Sequence, residues 1–525
     1  MGTARLYRDT AVMSVGTALS RITGLARVAA MTYALGVTAT RLADAYNYAN
    51  TLPNIIYEVF LGGIFTSVFV PVLVSLRSER SGDPSALVST SLLALSVASA
   101  VAFAAAPLIM WLYLLRVPDP ATRAATQELA TYLFRWFTPQ ILFYGVTSIA
   151  EALLNTRRRF GPPKFVPVLN NLVVIATFLA FARVFGEQGL ELSRGARVLL
   201  GAGTTLGVAV QALALLPYLR GERLRFAPSL SDPAVRTVLR LSGFVLGYVL
   251  VNQAGLYVVM SLAAQARGGY TAYVIAAMFL QLPHGLFAVS LFSALLPEMS
   301  EAAGSGSWDR FRGRVHEGIR GVAYLLLPAA VGYLLLARPL TRFLLARGVA
   351  SDADAEVVAE ILFAFSVGLV FFSAFQFLTR CFYALQDTRT PALLNAVAVA
   401  VHSALNFPLF FAFGVPGLAM GHAAAYVVGT VLLARALDRR VPGGLGLGAL
   451  VGPLGRIALA AAIMGAGVWA TRYLGGSDLV RILSAVGGGA ILYVAFSQVI
   501  GIPERQILIG WVRRAPTSDA DTDRS

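Results

Sequence analysis

The chain has 525 residues, 57% of them hydrophobic and only 13% charged, with a mean hydropathy of +0.70. Soluble domains are about 45–50% apolar and about 25% charged, so the composition excludes a soluble globular protein and indicates a polytopic membrane protein. The basic residues behind the net charge of +15 are scattered at the ends of apolar runs, which topogenic charge explains better than a nucleic-acid-binding patch.

Apolar runs of about 20 residues or more, broken by Gly, Pro and charge, predict about fourteen membrane helices. They cover 10–37, 42–76, 84–115, 123–155, 163–185, 196–219, 235–265, 270–302, 315–337, 353–385, 391–413, 416–437, 449–474 and 479–500. The start "MGTARLYRDTAVMSV" is basic, lacks a clean cleavage site and leads into a run that keeps its arginines, so it reads as a retained first helix. Arg21 and Arg27 lie well inside that helix and flank Gly24. A charge deep in a membrane helix costs at least ~2.5–3.5 kcal/mol, so each guanidinium needs water, a partner or a ligand. Two readings stand: snorkelling or a structural ion pair with Asp44 or Glu58, or a cationic site for an anionic headgroup. Arginine suits phosphate through its planar fork of donors.

The second segment carries "ADAYNYANTLPNIIYEVFLGG". At about 100° per residue, Asp44, Asn47, Thr51, Asn54 and Glu58 fall on one stripe roughly 80° wide. Ala45, Tyr46, Ala49, Leu52, Ile56 and Val59 occupy the other side. A polar stripe in a membrane helix must look onto protein or water. It is either an inter-helix network or the wall of a polar cavity. In the second case Asp44 and Glu58 hold the arginines in position, and the asparagines and Thr51 bind sugar or amide groups. Pro53 and Gly62-Gly63 would let the segment bend, a gating role.

Later segments are less charged. Glu151 and Asn155 close the fourth, and Asn252 and Gln253 lie on the seventh. Met278, Gln281 and His284 match the stripe on the eighth, and Gln376, Arg380 and Gln386 end the tenth; most read as structural. Asn395, His402 and Asn406 share a face of the eleventh, but no carboxylate accompanies them as a cation site would prefer. Cys381 is the only cysteine and the four histidines are dispersed, so no metal site and no cofactor are expected. The tail "RRAPTSDADTDRS" is polar and short and reads as disordered.

Orientation follows from the loops. Those after even-numbered segments carry Arg77 and Arg80, Arg157 to Arg159 with Lys164, Arg220, Arg223 and Arg225, Arg310, Arg312 and Arg314, and Arg439 and Arg440. Those after odd-numbered segments are leaner or mix arginine with acids, which places both termini in the cytoplasm. The chain also repeats itself. Residues 23–54 align with 254–284, and "EALLNTRRRFGPP" (151–163) parallels "FYALQDTRTP" (382–391) at nearly the same offset. The expected fold is therefore all-α, with two six-helix lobes (1–225 and 226–440) around a central cavity, two further helices (441–503) and a cytoplasmic tail (504–525). Transporters built from such repeats bind substrate between the lobes and alternate access by rocking.

Together "SRITGLAR", "ADAYNYANTLPN", "GGIFTSVFVPVL", "LNTRRRF" and "QLPHGLFAVSLFSALLPEMS" resemble the MurJ (MviN) lipid II flippases of the multidrug/oligosaccharidyl-lipid/polysaccharide exporter superfamily. The resemblance implies a bacterial plasma-membrane protein that flips the undecaprenyl-pyrophosphate-linked peptidoglycan precursor outward for cell-wall synthesis. It also implies a V of two lobes with a cationic cavity, and a hydrophobic groove on the last two helices for the lipid tail. Arg21 and Arg27 match the family's cavity arginines and Asp44 its aspartate on the second helix. The chain departs from the family at Tyr57, Glu58 and Met278, where many members carry cavity arginines. Acids that bind sodium in some members, on helices seven and eleven, are also missing, which speaks against sodium and leaves membrane potential or a proton as the drive. Implied partners are the lipid-linked precursor, membrane lipids and cell-wall synthesis or division proteins. Competing readings are a flippase for another polyprenyl-linked glycan, a drug exporter, a polyprenyl-dependent glycosyltransferase and a non-transporting cell-wall scaffold. A drug exporter favours cavity acids and aromatics over arginines. A glycosyltransferase needs clustered carboxylates on an outward loop, and the only such cluster, "SDADAEVVAE" at 351–360, reads as a helix start.

Overall fold

A computed structural model describes residues 3–58, 69, 72–73, 83–157, 159, 161–222, 224–473 and 477–506. Among these the ordered elements are helical. They are α1 (Thr3–Leu35), α2 (Leu42–Glu58), α3 (Ser85–Leu114), α4 (Pro120–Thr156), α5 (Gly161–Phe185), α6 (Arg194–Leu213), α7 (Pro233–Ala263), α8 (Gly269–Pro283), α9 (Val289–Gly304), α10 (Trp308–Leu345), α11 (Asp352–Ala384), α12 (Arg389–Phe413), α13 (Val415–Arg440), α14 (Val451–Ala470) and α15 (Asp478–Val499). Eleven described spans are long and apolar enough to cross a membrane. Gly62 and Gly63 lie outside the described residues, as does most of the second segment beyond Glu58.

Helix starts follow local chemistry. Asp119, Ser193, Asp232 and Ser477 accept backbone N–H groups at the starts of α4, α6, α7 and α15, and proline follows Asp119 and Asp232. The predicted segment 270–302 is interrupted by a π-helical turn, His284–Ala288, between α8 and α9. Pro283 has no N–H to give the ladder, and the wider turn absorbs the mismatch. The predicted segment 315–337 grows to the 38 residues of α10. Its apolar stretch ends where the arginines begin, but the helix continues past it, because backbone hydrogen bonds do not depend on side-chain polarity.

The chain divides into two compact units, Met1–Ile275 with Leu344–Ala355, and Ala276–Phe343 with Glu356–Ser525. In the first, α1 packs on α5, α2 on α4, α3 on α4, and α6 on both α4 and α5. Its interior is aromatic: Tyr46 meets Phe137 at 5.6 Å and Phe178 at 5.3 Å, both edge-on. Gly201 lets α6 close on Trp136, since an added Cβ would stand 2.6 Å from that indole. In the second unit α12 pairs with α13, and α14 with α15. Only 17% of the apolar window of α3, and as little of α12 and α15, is buried by protein, so these helices present apolar side chains to lipid.

Candidate functional site

The polar groups singled out in the first two helices belong to the first unit. On α1, Ser20, Thr23 and Arg27 recur at helical spacing, and Asn171 of α5 donates its Nδ2 to Ser20 O (3.2 Å) and Thr23 Oγ1 (3.0 Å). Arg27, half-buried, acts electrostatically on the hydroxyls of Tyr46 and Tyr144. Tyr144 donates to Asn54 Oδ1 at 3.0 Å, and Asn54 Nδ2 donates to Asn50 O at 2.8 Å. Tyr46 shares a 3.1 Å hydrogen bond with Thr204. The structure thus brings Arg27 and the lower end of the stripe together through Tyr144. Arg21 is exposed on another face of α1, six residues or about 9 Å toward its N-terminus. Gly24 is buried between them. Among the described residues no carboxylate pairs with either guanidinium.

The upper end of the stripe is engaged elsewhere. Asp44 is fully buried; its carboxylate accepts from Gly268 N (2.9 Å), Thr271 N (3.1 Å) and Thr271 Oγ1 (2.8 Å), so it caps the start of α8. Its cation is Arg41, at 3.7 Å, which also donates to Ala264 O at 2.9 Å. The expectation that Asp44 holds the arginines of the first helix is therefore corrected. Asp44 stands in the first turn of α2, next to N–H groups at the α8 start that have no partner within their own helix, and an anion there meets both donors and helix dipole. Asn47 Nδ2 donates to Thr271 Oγ1 at 3.1 Å, and Thr51 shares a 2.8 Å bond with the Tyr270 hydroxyl. Tyr270 in turn stacks on Tyr48 at 4.5 Å. Pro53 is buried within α2, which runs through it without ending. The Glu58 side chain lies outside the described residues.

The same end of the unit carries a second carboxylate knot. Asp354, also fully buried, accepts from Thr38 N (2.8 Å), from the Thr38 hydroxyl and from Ser351 N (3.0 Å). Val349 N donates to Tyr33 O at 2.9 Å. Sequence reasoning missed Tyr144, Arg41 and Thr271, and took Asp354 only as part of a helix start. Arg41 had a local signal, three residues before Asp44, and Asp354 had one as the third residue after Ser351 at a helix start.

In the second unit His284 Nδ1 meets Ser373 Oγ at 2.8 Å, and Arg380 lies 4.8 Å over Phe292 while donating to Gln376 O. Both are packing arrangements. Asn395 and Asn406 are buried on α12, and His402 stacks edge-on with His422 at 5.7 Å. No group of three or more His, Cys, Asp or Glu side chains among the described residues is placed to hold a metal ion.

A multi-pass helical fold with a half-buried arginine in electrostatic reach of tyrosine hydroxyls, and with no carboxylate paired to it among the described residues, fits the class of membrane transporters. A family model described as lipid II flippase MurJ matches residues 31–480, and the chain belongs to that family. It is 29% identical over 453 residues to a probable lipid II flippase MurJ of Vibrio cholerae, covering 82% of this chain and 83% of the relative. With the lipid II flippase MurJ of Burkholderia cenocepacia it shares 29% identity over 449 residues, 83% of this chain and 84% of the other. The fold is similar to a solved lipid II flippase MurJ in an inward closed conformation, with TM-score 0.76, 21% identity and coverage of 95% and 99%. It is also similar to an inward-facing multidrug MATE transporter, with TM-score 0.67, 14% identity and coverage of 80% and 95%.

Proposed function

We propose that this protein flips lipid II, the polyprenyl-pyrophosphate-linked peptidoglycan precursor, to the outer leaflet of the bacterial plasma membrane by alternating access. Family membership sets the cargo, and the observation that carries the site is Arg27. It is half-buried, has no carboxylate partner among the described residues, and lies within electrostatic reach of Tyr46 and of Tyr144, which donates to Asn54. A guanidinium in that setting suits a pyrophosphate, which accepts two parallel N–H···O bonds from its planar fork. Arg21, about 9 Å nearer the N-terminus of α1, meets the headgroup first on its way from the cytoplasm. Asn54 and Tyr144 then serve its sugar or peptide amides, with Glu58 as a further contact and Gly24, Pro53, Gly62 and Gly63 as hinges.

Asn47, Thr51 and Asp44 take a different part in this reading. With Arg41, Thr271 and the Asp354 knot they tie three loops at the end of the unit away from the arginine-rich connections, so they close the outward exit until the headgroup has bound. The finer architecture is part of the same proposal. It has fourteen spans in two six-helix lobes (1–225 and 226–440), a tail-guiding pair at 441–503, both termini in the cytoplasm and no cofactor, with membrane potential or a proton as the drive. Cell-wall synthesis or division proteins are its proposed protein partners.

The test is the sidedness of lipid II in cells depleted of the protein, read by an enzyme that cleaves only outer-leaflet precursor. Wild type should restore cleavage and Arg27→Ala should not, with Arg21→Ala in between. Unchanged cleavage on depletion, in a strain without another flippase, would assign a different cargo.

A further inference from the structure

A second cationic feature lies outside the transport site, where α3, α4 and α6 meet. Pro107, Glu128, Thr131, Tyr132, Arg135 and Arg197 line an open cavity of about 430 Å³ there. Arg197 pairs with Glu128 at 2.7 Å and lies 5.9 Å over Tyr132. Arg135 is exposed and lies 5.5 Å over Phe103, and among the described residues it has no carboxylate partner. Two guanidinium groups and one carboxylate leave the cavity with one uncompensated positive charge.

The depth of the cavity follows from helix rise. Arg135 stands 21 residues, about 32 Å, from the Thr156 end of α4, and Phe103 stands 18 residues, about 27 Å, from the Ser85 start of α3. A hydrocarbon core is about 30 Å thick, so both residues reach its far boundary when those helix ends sit at the near one. Trp111, one turn from Pro107, and Trp136, next to Arg135, are exposed, and tryptophan is the amphipathic aromatic that favours a headgroup boundary.

We propose that this cavity binds the phosphodiester of an anionic glycerophospholipid, with Arg135 and Arg197 on the phosphate and the acyl chains along the exposed face of α3. The lipid belongs to the outer leaflet, an assignment that rests on the topology proposed above; the binding itself does not. Glu128 opposes the ligand by holding Arg197, so charge removal at this one position must act in the opposite direction to the arginine variants.

Native mass spectrometry of the detergent-solubilised full chain tests this with phosphatidylglycerol and phosphatidylcholine of identical chains. Phosphatidylglycerol should be retained in excess, Arg135→Gln should cut that excess about fivefold, as expected for one basic side chain at a membrane surface, and Glu128→Gln should raise it. Arg157→Gln, at the opposite end of α4, serves as the control and should leave it unchanged. Equal retention of the two lipids overturns the proposal, as does an excess indifferent to Arg135→Gln and Glu128→Gln. Displacement of the bound lipid by millimolar inorganic phosphate would assign the cavity to a free anion and overturn the lipid assignment.

Discussion

Asp44 satisfies three donors and one guanidinium from a position with no solvent exposure. Asp44→Ala leaves Arg41 buried beside carbonyls alone and strands the N–H groups of Gly268 and Thr271, so thermal unfolding in detergent should show a loss of about 3–5 kcal/mol. Asp44→Asn still accepts from one or two of those donors and should lose less; equal losses would assign the whole effect to charge. Gly268 is bound to the same junction by its backbone. Its φ is +70°, and an added Cβ would stand 2.2 Å from Val37 O. Gly268→Ala therefore meets a left-handed penalty of roughly 1–2 kcal/mol and a backbone clash that no rotamer relieves. Folded yield should fall further for this variant than for Gly304→Ala, where a Cβ enters open space.

At the scale of elements, helix positions were legible because apolar length and punctuation are local properties. The stripe on α2 was legible as a stripe, and its division was not. Asn54 turns to α4 while Asp44, Asn47 and Thr51 turn to α8, more than 200 residues away in sequence, and periodicity says nothing about which helix arrives there. The π-turn after Pro283 was equally hidden, since proline is compatible with a kink, a widened turn or an unbroken membrane helix, the last of which Pro53 shows in α2. The turn between α11 and α12 shows local chemistry that can be tested directly. Burial alone would raise the Asp387 carboxyl, but hydrogen bonds from Thr390 and from Arg389 N, with Arg440 nearby, hold it below the usual range. A carboxyl depressed in the folded state stabilises above its unfolded value and loses that contribution as pH falls through the folded one. Amide exchange at Arg389 and Thr390 should thus stay protected at neutral pH and rise below about pH 4 beyond the intrinsic trend. Asp387→Asn should remove that pH dependence while retaining part of the turn.

For the whole molecule, the arginine count of the loops makes a claim about every helix at once, because one missed or extra span inverts everything after it. Cys381 is the only cysteine and is buried, so Cys381→Ala gives a background in which one introduced thiol reports one position. Gly189, between α5 and α6, and Gly304, ending α9 just ahead of Arg310, Arg312 and Arg314, both face open space where a cysteine side chain fits. An odd number of spans separates these sites in the fourteen-helix topology, so they must lie on opposite sides. A membrane-impermeant maleimide should label Gly189→Cys in intact cells and Gly304→Cys only after permeabilisation. The reverse pattern would invert the orientation and move the lipid cavity beside Arg135 to the inner leaflet. Labelling of both from one side would break the even-and-odd rule itself, and with it the reading that Arg21 meets the headgroup before Arg27 on the way out.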